Sequence, residues 1–439
     1  MQRGSSTAAN IPATPKELWK TNIQKPTPIE AGPIAADQAL SSHFNGPVTA
    51  PTIAGGRLFV AVPEHHRIEA RDEKTGAPSW SFTAGGRIDT PPTIYGGLCL
   101  FGCRDGRAYA LDAATGDLLW RFKAAPYDRR MASHNQLEST WPLFGSLSVV
   151  DGVAMASAGR HPETNGGIHV YGLEPATGKQ LWKRTIHHDR EPGKLGGKIP
   201  DEGITTRRYG YNANTVLNEL FISDGKLAGI TGLILEPKTG EIANRPWPKK
   251  IQGKPQGLPE HPMDFYLDLG FRPPYRNQQL ENYGGPGADH GSWLFRLKKP
   301  KLEVHGELIA FNKERVAVTK VAGIEWGMWD LTQEEIPGPG DKGRQNSSHP
   351  PTWQVSKNQF KGMDVTAVLL AGDKLAIGLS TQRTASNPSV GEIRIYSAKD
   401  ATPLGQLNLD SRIIHAGLVA AHGRLYASCE DGSVRCLGE

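Results

Sequence analysis

The sequence is poor in the features that mark several common protein classes. Its 439 residues contain only four cysteines and no apolar run longer than a strand, so no membrane span is expected. Residues 1–10 are small and polar and lack the apolar core of a signal peptide. The net charge is +5, from 50 basic and 45 acidic residues, and basic runs interleaved with aromatics are absent. Nucleic acid is therefore not expected as a partner.

Signatures of catalysis and metal binding are also missing. There is no G-x-S-x-G nucleophile motif and no dinucleotide fingerprint at a strand–helix junction. The paired histidines, His65 with His66 and His187 with His188, are adjacent in the chain. Adjacent side chains do not turn two imidazoles toward one ion, so no metal site is predicted.

The four cysteines are predicted to be buried apolar residues. Cys99 and Cys103 share one face of a predicted strand but lie roughly 13 Å apart along it, which is too far for a disulfide. Cys429 and Cys436 flank a Glu-Asp-Gly turn without facing each other in the expected register. The sequence therefore predicts neither disulfide bridges nor ligand cysteines.

Turn-forming residues, by contrast, are abundant, with 51 glycines and 33 prolines. One pattern recurs along the chain: an apolar strand, a short turn such as Gly-Gly or Asp-Gly, and a second apolar strand. This chemistry predicts β-hairpins. The seven copies are PTIAGGRLFVA from Pro51, PTIYGGLCLFG from Pro92, LSVVDGVAMAS from Leu147, LFISDGKLAGI from Leu220, LIAFNKERVAVT from Leu308, VLLAGDKLAIG from Val368 and LVAAHGRLYAS from Leu418.

A third strand and a Thr-Gly turn follow several of these hairpins, and a tryptophan comes four residues after the glycine. The tryptophans are Trp80, Trp120 and Trp182. One indole in each unit can pack between neighbouring sheets, so these residues are predicted to be structural. Four-stranded units at this spacing are typical of β-propeller blades.

The two ends of the chain complement each other. The C-terminal copy, 418–438, supplies three strands, and the segment 17–23 (ELWKTNI) is an orphan strand that carries its own Trp19. We therefore predict an all-β fold: a single closed β-propeller of seven four-stranded blades, with the N-terminal strand completing the last one. The predicted domains are a flexible leader or linker at 1–16 and the propeller at 17–439.

The fragment YALDAATGDLLW, residues 109–120, and its relatives resemble the PQQ-like, or quinoprotein-like, propeller repeat. This family includes outer-membrane assembly scaffolds and quinoprotein alcohol dehydrogenases. The match is specific over 47–184 and 364–438 and weak over 185–360, so an eighth blade would fit between 245 and 303. The resemblance implies a location outside the cytoplasm, periplasmic or secreted.

Long segments between the predicted strands are expected to crowd one face, where loops on a rigid frame usually bind ligands. These segments are 125–140, 159–167, 187–214, 246–305, 332–362 and 381–391. They are rich in arginine, which binds anions through paired hydrogen bonds, and in aromatic residues, which pack on sugar rings or protein side chains. The predicted ligand-binding residues are Arg129, Arg130, Gln136, Glu138, Trp141, Arg160, His161, Arg208, Tyr209 and Trp293. Candidates for acid–base catalysis are His134, His290, His415 and Tyr211.

Three functions fit these observations. The first is a binding or scaffold module that holds a polar or anionic ligand, or a protein partner, on the loop-rich face. The second is a lyase or hydrolase acting on an anionic polysaccharide. The third, a quinone-dependent dehydrogenase, is suggested by the resemblance alone, and those enzymes usually carry an adjacent cysteine pair that this chain lacks. No cofactor, PQQ included, is expected. The chain is expected to be a monomer unless it joins a larger assembly.

Overall fold

A computed structural model describes most of the N-terminal half and the C-terminal end of the chain, together with separate strands between them. The described residues are 5–7, 9–25, 46–133, 136–160, 164–187, 203–205, 221–230, 233–243, 265–269, 293–297, 302–306, 308–319, 324–333, 351–356, 360, 362–381 and 390–439.

The described chain is almost entirely β-structure, and its one helical element is a short 3-10 turn at Pro63–His65. The strands of the N-terminal half are β1 Ser5–Thr7, β2 Lys16–Asn22, β3 Thr52–Ala54, β4 Arg57–Val62, β5 Arg67–Asp72, β6 Pro78–Thr83, β7 Thr93–Tyr95, β8 Leu98–Cys103, β9 Arg107–Asp112, β10 Leu118–Lys123, β11 Arg130–Ser133, β12 Gln136–Ser139, β13 Ser148–Val150, β14 Val153–Ala158, β15 Ile168–Leu173, β16 Gln180–His187 and β17 Gly203–Thr205.

Seventeen further strands follow in the C-terminal half. They are β18 Ile222–Ser223, β19 Ala228–Ile230, β20 Leu233–Leu235, β21 Phe265–Leu269, β22 Trp293–Leu297, β23 Leu302–Gly306, β24 Ile309–Phe311, β25 Arg315–Thr319, β26 Ile324–Asp330, β27 Trp353–Ser356, β28 Met363–Ala371, β29 Lys374–Thr381, β30 Gly391–Ser397, β31 Pro403–Leu409, β32 Ile413–Ala421, β33 Arg424–Cys429 and β34 Ser433–Gly438.

These strands form small sheets of sequential neighbours. Four sheets have four strands, in the orders β3-β4-β5-β6, β10-β9-β8-β7, β24-β25-β26-β27 and β2-β34-β33-β32. Two have five strands, β13-β14-β15-β16-β17 and β1-β28-β29-β30-β31, and two have three, β18-β19-β20 and β21-β22-β23. The hairpin β11-β12 stands by itself. The sheet β21-β22-β23 lies almost wholly in the interval 245–303, where an eighth blade would fit.

By internal contacts the chain divides into two compact units. The first contains Glu64–Ile68 and Trp80–Leu269, and the second contains Gln2–Pro63, Glu69–Ser79 and Gly270–Glu439. Within the first unit, a core of Leu100, Leu143 and Leu147 packs with Trp120 and Tyr171. Within the second, Leu369, Ile393 and Ile413 belong to a core that also takes in Leu425 and Leu437. In both units the apolar side chains of successive hairpins supply the buried surface.

All seven predicted hairpins are confirmed. Each pairs antiparallel across its predicted turn, as Ile53 does with Leu58 and Val149 with Ala154. The other five join β7 to β8, β18 to β19, β24 to β25, β28 to β29 and β32 to β33. Turn residues that tolerate positive φ are therefore a dependable guide to the local structure of this chain.

The structural role predicted for the tryptophans is also confirmed. Each indole covers a Thr-Gly turn of the following sheet, at a glycine of positive φ where a Cβ would meet the ring at 2.5 to 2.9 Å. The pairs are Trp19 with Gly76, Trp80 with Gly116, Trp120 with Gly178 and Trp182 with Gly240. In the last three, the indole Nε1 also donates to a carbonyl three residues before the glycine. Glycine is required here both for its backbone conformation and for the space it leaves.

The predicted pairing of the two ends of the chain is confirmed. β2 runs antiparallel to β34, from Lys16 opposite Gly438 to Asn22 opposite Ser433. Arg435, which is buried, donates to Glu17 at 2.9 Å and so links the two strands by charge as well. The N-terminal strand therefore occupies the outer edge of the last sheet.

Residues 5–7, within the stretch expected to be a leader or linker, form β1 and pair in parallel with Leu369–Ala371 of β28. Further on, Ile11 is only 2% exposed and packs in the core with Ile393 and Leu409. Asn10 accepts a hydrogen bond from Lys374 at 2.8 Å. This N-terminal stretch therefore contributes contacts to the second unit.

The four cysteines are free and buried, as predicted. Burial raises the pKa of Cys99, Cys103 and Cys436, and it raises that of Cys429 to about 11. Because the thiolate is the reactive form, we expect the native protein to be inert to a thiol reagent such as Ellman's at pH 8. Unfolding in guanidinium chloride should expose four reactive thiols. Rapid reaction of the native protein would contradict this burial.

A buried histidine gives a specific prediction for pH. Burial lowers the pKa of His169 on β15 from 6.5 to about 4, with a smaller contribution from the charge of Lys183, and Thr185 hydrogen-bonds its Nδ1 at 3.0 Å. The unfolded chain binds this proton near pH 6.5 and the folded chain does not, so stability present above pH 6.5 is lost as pH falls toward 4. When the pH falls from 7 to 5, the titration of His169 should therefore lower the free energy of unfolding by about 2 kcal/mol.

The variant His169→Gln removes this titration. Urea unfolding at pH 7 and pH 5 should therefore show a smaller loss of stability in the variant than in the natural protein. Equal losses in both proteins would mean that His169 is protonated in the folded state.

Candidate functional site

The hairpin β11–β12 is the feature of the first unit that the repeat does not explain. It lies in the segment 125–140, predicted as a long connection, and pairs Arg130 with Ser139 through to Ser133 with Gln136. Side chains alternate between its two faces. Glu138 is 2% exposed on one face, whereas Leu137 is 57% exposed on the other.

A network of buried charges holds the inner face of the hairpin. Glu138 accepts from Arg104 Nη1 at 3.0 Å, and its other oxygen pairs with Arg160. Arg104 also pairs through Nε with Asp89 at 2.5 Å, and Asp89 pairs with Arg87 at 2.5 Å. With Arg104 1% exposed and Glu138 2% exposed, the centre of the network is shielded from water.

The charges in this network balance. Three guanidiniums, those of Arg87, Arg104 and Arg160, meet three carboxylates, because Glu64 also pairs with Arg87. Burial opposes ionisation of Asp89, yet Arg104 and Arg87 hold its pKa below its ordinary value. Burial likewise opposes ionisation of Glu138, and Arg104 with Arg160 lowers its pKa. Both carboxylates are therefore charged at neutral pH, and the network serves as an anchor for the hairpin.

Polar and aromatic contacts extend the anchor at both ends. Gln136 donates to Glu64 at 2.8 Å and lies 2.9 Å from Nε2 of His66. The guanidiniums of Arg104 and Arg160 lie over the ring of Phe144, at 4.9 Å and 5.6 Å from its centre. The hairpin is thus fixed at its turn end and at its base.

The exposed parts of the hairpin combine apolar and basic groups, with Leu137 on the outer face and Met131 on the face of Glu138, which it pairs with. Leu137 is 57% exposed, Met131 is 39% exposed and Tyr127, just before β11, is 69% exposed. Arg129 and Arg130 are exposed beside them. Large apolar side chains exposed together next to arginines are typical of surfaces that bind a partner.

Six of the predicted ligand-binding residues can be placed in the first unit, in or beside the hairpin. Arg129 and Arg130 are exposed, whereas Gln136, Glu138 and Arg160 belong to the anchor. Trp141 is 5% exposed, donates through Nε1 to the carbonyl of Asn165 at 2.8 Å, and packs against Tyr127 at 5.7 Å between ring centres. Only the two arginines of this set therefore present their side chains fully to solvent.

The structure does not bring the remaining predicted site residues next to these six. His415 lies half-buried on β32 in the second unit. Trp293 is in β22, where only the backbone is described. The other predicted residues lie outside the described part of the chain: His134, His161, Arg208, Tyr209, Tyr211 and His290.

Sequence reasoning identified Glu138 but missed Arg104, Arg87 and Asp89, its neighbours in the network. Arg104 follows Cys103 at the end of an apolar strand, and Arg87 and Asp89 sit in the connection before β7. A charged residue directly after a buried strand was the available signal. Its partners are distant in sequence, Glu138 being 34 positions away.

The described residues offer no cluster of donors for a metal ion. Among them, no three His, Cys, Asp or Glu side chains cluster so as to hold a metal. The four cysteines are separated in the sequence and buried, so none can form the adjacent-cysteine ring associated with quinone-dependent dehydrogenases.

Comparison with known proteins supports the assignment of the repeat to the PQQ-like type. Residues 5–201 match the family model of the outer membrane protein assembly factor BamB. A quinoprotein alcohol dehydrogenase, PedH, of Pseudomonas putida is 26% identical over 202 residues, which are 44% of this chain and 31% of that enzyme. A polyvinylalcohol dehydrogenase of a Pseudomonas species is 32% identical over 114 residues, 26% of this chain and 15% of that enzyme. The chain thus spans a third or less of these curated relatives.

Two solved structures share the fold. Quinohemoprotein alcohol dehydrogenase from Comamonas testosteroni aligns with 100% of this chain and 79% of its own, with a TM-score of 0.54 at 12% identity. The enzyme ADHIIG from Pseudomonas putida HK5 aligns with 97% of this chain and 76% of its own, with a TM-score of 0.52 at 12% identity. In the part of the chain that is described, no helix has the length and apolarity to cross a membrane. The chain is an all-β protein of β-propeller type, and residues 5–201 carry the PQQ-like repeat of the BamB family model.

Proposed function

We propose that this chain is a binding or scaffold module and that its contact surface is the outer face of the hairpin β11–β12. The observation that carries the proposal is the contrast between the two faces of this hairpin. Its inner face carries Glu138, which a charge-balanced buried network holds, and its outer face exposes Leu137, Ala132 and Arg130. A surface fixed in advance loses little conformational entropy on binding, which favours affinity.

The proposed frame for this surface is a closed ring of blades. Seven confirmed hairpins, the tryptophan contacts between successive sheets and the pairing of β2 with β34 support it. The sheet β21-β22-β23 is the candidate for an eighth blade. We place the protein outside the cytoplasm because residues 5–201 match the model of an outer membrane assembly factor. We also propose that it is a monomer unless it is part of a larger assembly.

Selection of phage-displayed random peptides on the purified protein tests this function. Peptides that bind the natural protein should bind the variant Leu137→Glu at least tenfold more weakly. The matched control is Leu181→Glu, because Leu181 is 49% exposed on β16 and Leu137 is 57% exposed. Recovery of no specific peptide, or equal loss with both variants, would contradict the proposed surface.

A second candidate is an enzyme acting on an anionic polysaccharide. The exposed Tyr127 beside Arg129 and Arg130 favours it, since an aromatic ring can pack on a sugar while guanidiniums hold carboxylate or sulfate. Incubation with polygalacturonate and with heparin, followed by size analysis, tests this activity. Shortened polysaccharide chains would support an enzymatic activity. Binding of the polysaccharide without cleavage would support a binding module instead.

A further inference from the structure

The hairpin β11–β12 has one edge that is open in the described structure. The amide of Thr140 donates to the carbonyl of Arg129 at 2.9 Å, so these two residues form a hydrogen-bonded pair across the hairpin. Bonded and non-bonded pairs alternate in an antiparallel ladder, so Met131 bonds Glu138. The amides and carbonyls of Arg130 and Ala132 then point away from β12. Within the described residues, no backbone group bonds to these two.

The opposite edge of the hairpin is occupied at Ser139. The amide of Ser139 donates to the carbonyl of Arg104 at 2.7 Å, so β12 is joined at that point to the end of β8. The ion pairs of Glu138 lie on the inner face of the same strand. The hairpin is therefore held at Ser139 of β12 and on its inner face, and among the described residues no strand lies beyond β11.

Charge around β11 selects the kind of segment that this edge would accept. The two carboxylates nearest the strand are already neutralised: Glu138 pairs with Arg104 and Arg160, and Asp128 pairs with Lys123 at 2.8 Å. Arg129 and Arg130 remain exposed. The hydrogen bond from Lys123 lowers the pKa of Asp128, and the charge of Arg130 contributes to this lowering. The side chains on the outer face beside them, Ala132 and Leu137, are exposed and apolar. The surface is thus basic at one end and apolar at the other.

We propose that β11 binds an extended, acidic segment of a partner protein as an added strand, through the backbone of Arg130 and Ala132. This inference rests on the proposed binding function and specifies its mode. An exposed strand edge is a template for β-addition, in which main-chain hydrogen bonds supply affinity and alternating side chains supply specificity. Because Arg130, Ala132 and Leu137 share one face and Arg129 lies on the other, the apolar residues of an alternating segment would cover Ala132 and Leu137, and its carboxylates would lie on the face of Arg129.

A synthetic heptapeptide of alternating glutamate and valine, acetylated and amidated at its ends, serves as the probe. Its affinity is measured by NMR titration of the full chain, with amide hydrogen exchange in the free and bound states. We expect the amides of Arg130 and Ala132 to exchange rapidly in the free protein and to become protected by the peptide. The amides of Met131 and Glu138 should be protected in both states.

Two variants separate strand addition from other modes. Ala132→Pro removes the outward amide while leaving the bonds to β12, and it should weaken the peptide at least tenfold, whereas Ala132→Ser keeps the amide and should bind normally. Arg129→Glu should weaken the glutamate–valine peptide at least tenfold and favour its lysine–valine counterpart. Thermal unfolding of each variant shows whether it is folded.

The outcomes distinguish the binding mode from the function. Peptide binding that is unchanged by Ala132→Pro, or that leaves the amides of Arg130 and Ala132 unprotected, would overturn strand addition and leave the binding surface standing. Binding of a heparin hexasaccharide, but of no peptide, at the two arginines would overturn it in favour of a glycan ligand. Failure of both probes, together with failure of the phage selection, would overturn the proposed function as well.

Discussion

Replacement of Glu138 by glutamine should lower the free energy of unfolding by about 3 kcal/mol or more at pH 7. Glu138 is 2% exposed and pairs with both Arg104 and Arg160. Removing one partner of a buried ion pair leaves a charge in the interior without compensation, which typically costs about 3–5 kcal/mol. Glutamine keeps the size and an acceptor oxygen, so the loss reports the charge. Urea denaturation followed by tryptophan fluorescence measures it.

The same substitution in an exposed ion pair is the control. Glu314 pairs with Arg315 at 3.0 Å but is 61% exposed, and such surface pairs contribute about 0–1 kcal/mol. Glu314→Gln should therefore be close to neutral. If Glu138→Gln were as mild as Glu314→Gln, the buried network could not be the anchor of the hairpin.

The pH dependence of unfolding in this variant provides independent evidence for the buried charge of Glu138. The pKa of Glu138 is lowered below its ordinary value of 4.5, so its stabilising contribution is present above that pH and is lost as pH falls through the folded value. Unfolding measured between pH 6 and pH 3 should show a shallower acid slope in Glu138→Gln than in the natural protein.

Replacement of Gly116 by alanine should cost about 2–4 kcal/mol of unfolding free energy. Its φ is +82°, which an L-residue adopts with strain, and a Cβ there would lie 2.7 Å from the ring of Trp80. The strain contributes about 1 kcal/mol, and forcing extra volume into a packed contact contributes about 1–3 kcal/mol. Thermal or denaturant unfolding measures the sum.

Gly97, in the turn between β7 and β8, is a matched control. Its φ is +81°, and a Cβ there would meet no atom within 4 Å. Gly97→Ala should therefore lose only the backbone contribution of about 1 kcal/mol. The difference between the two variants isolates the contact of the indole with the turn, and equal losses would show that this contact does not hold the sheets together.

The regular part of the fold can be predicted from local sequence because each of its structural motifs is formed by residues close together in the chain. A hairpin such as the one at Gly55 and Gly56 needs two short apolar strands and a turn that tolerates positive φ, all within a dozen residues. The tryptophan contact is likewise encoded by a Thr-Gly turn and an indole at fixed spacing. Repetition then makes each copy evidence for the others.

The candidate site is not readable in the same way. β11 and β12 have four residues each and alternate weakly, so their pattern resembles an irregular connection. The anchor joins Arg104 to Glu138 and Glu64 to Arg87 across intervals of 34 and 23 residues, and no local rule sets such distances. The arginines at 129, 130 and 160 were identified as site residues from composition, yet their division into exposed and anchoring groups depends on the folded geometry. β1 left no sequence signal either, because residues 5–7 are small and polar.

Amide hydrogen exchange of the free protein across residues 127–141 tests the central claim most directly. If the buried network presents a pre-formed hairpin, the amides of Met131 and Glu138 should exchange slowly in the natural protein. In Glu138→Gln the same amides should exchange rapidly under conditions that leave β8 and β9 protected. Rapid exchange of Met131 and Glu138 in the natural protein would show that the hairpin is not pre-formed, and the binding surface proposed for it would then have no support.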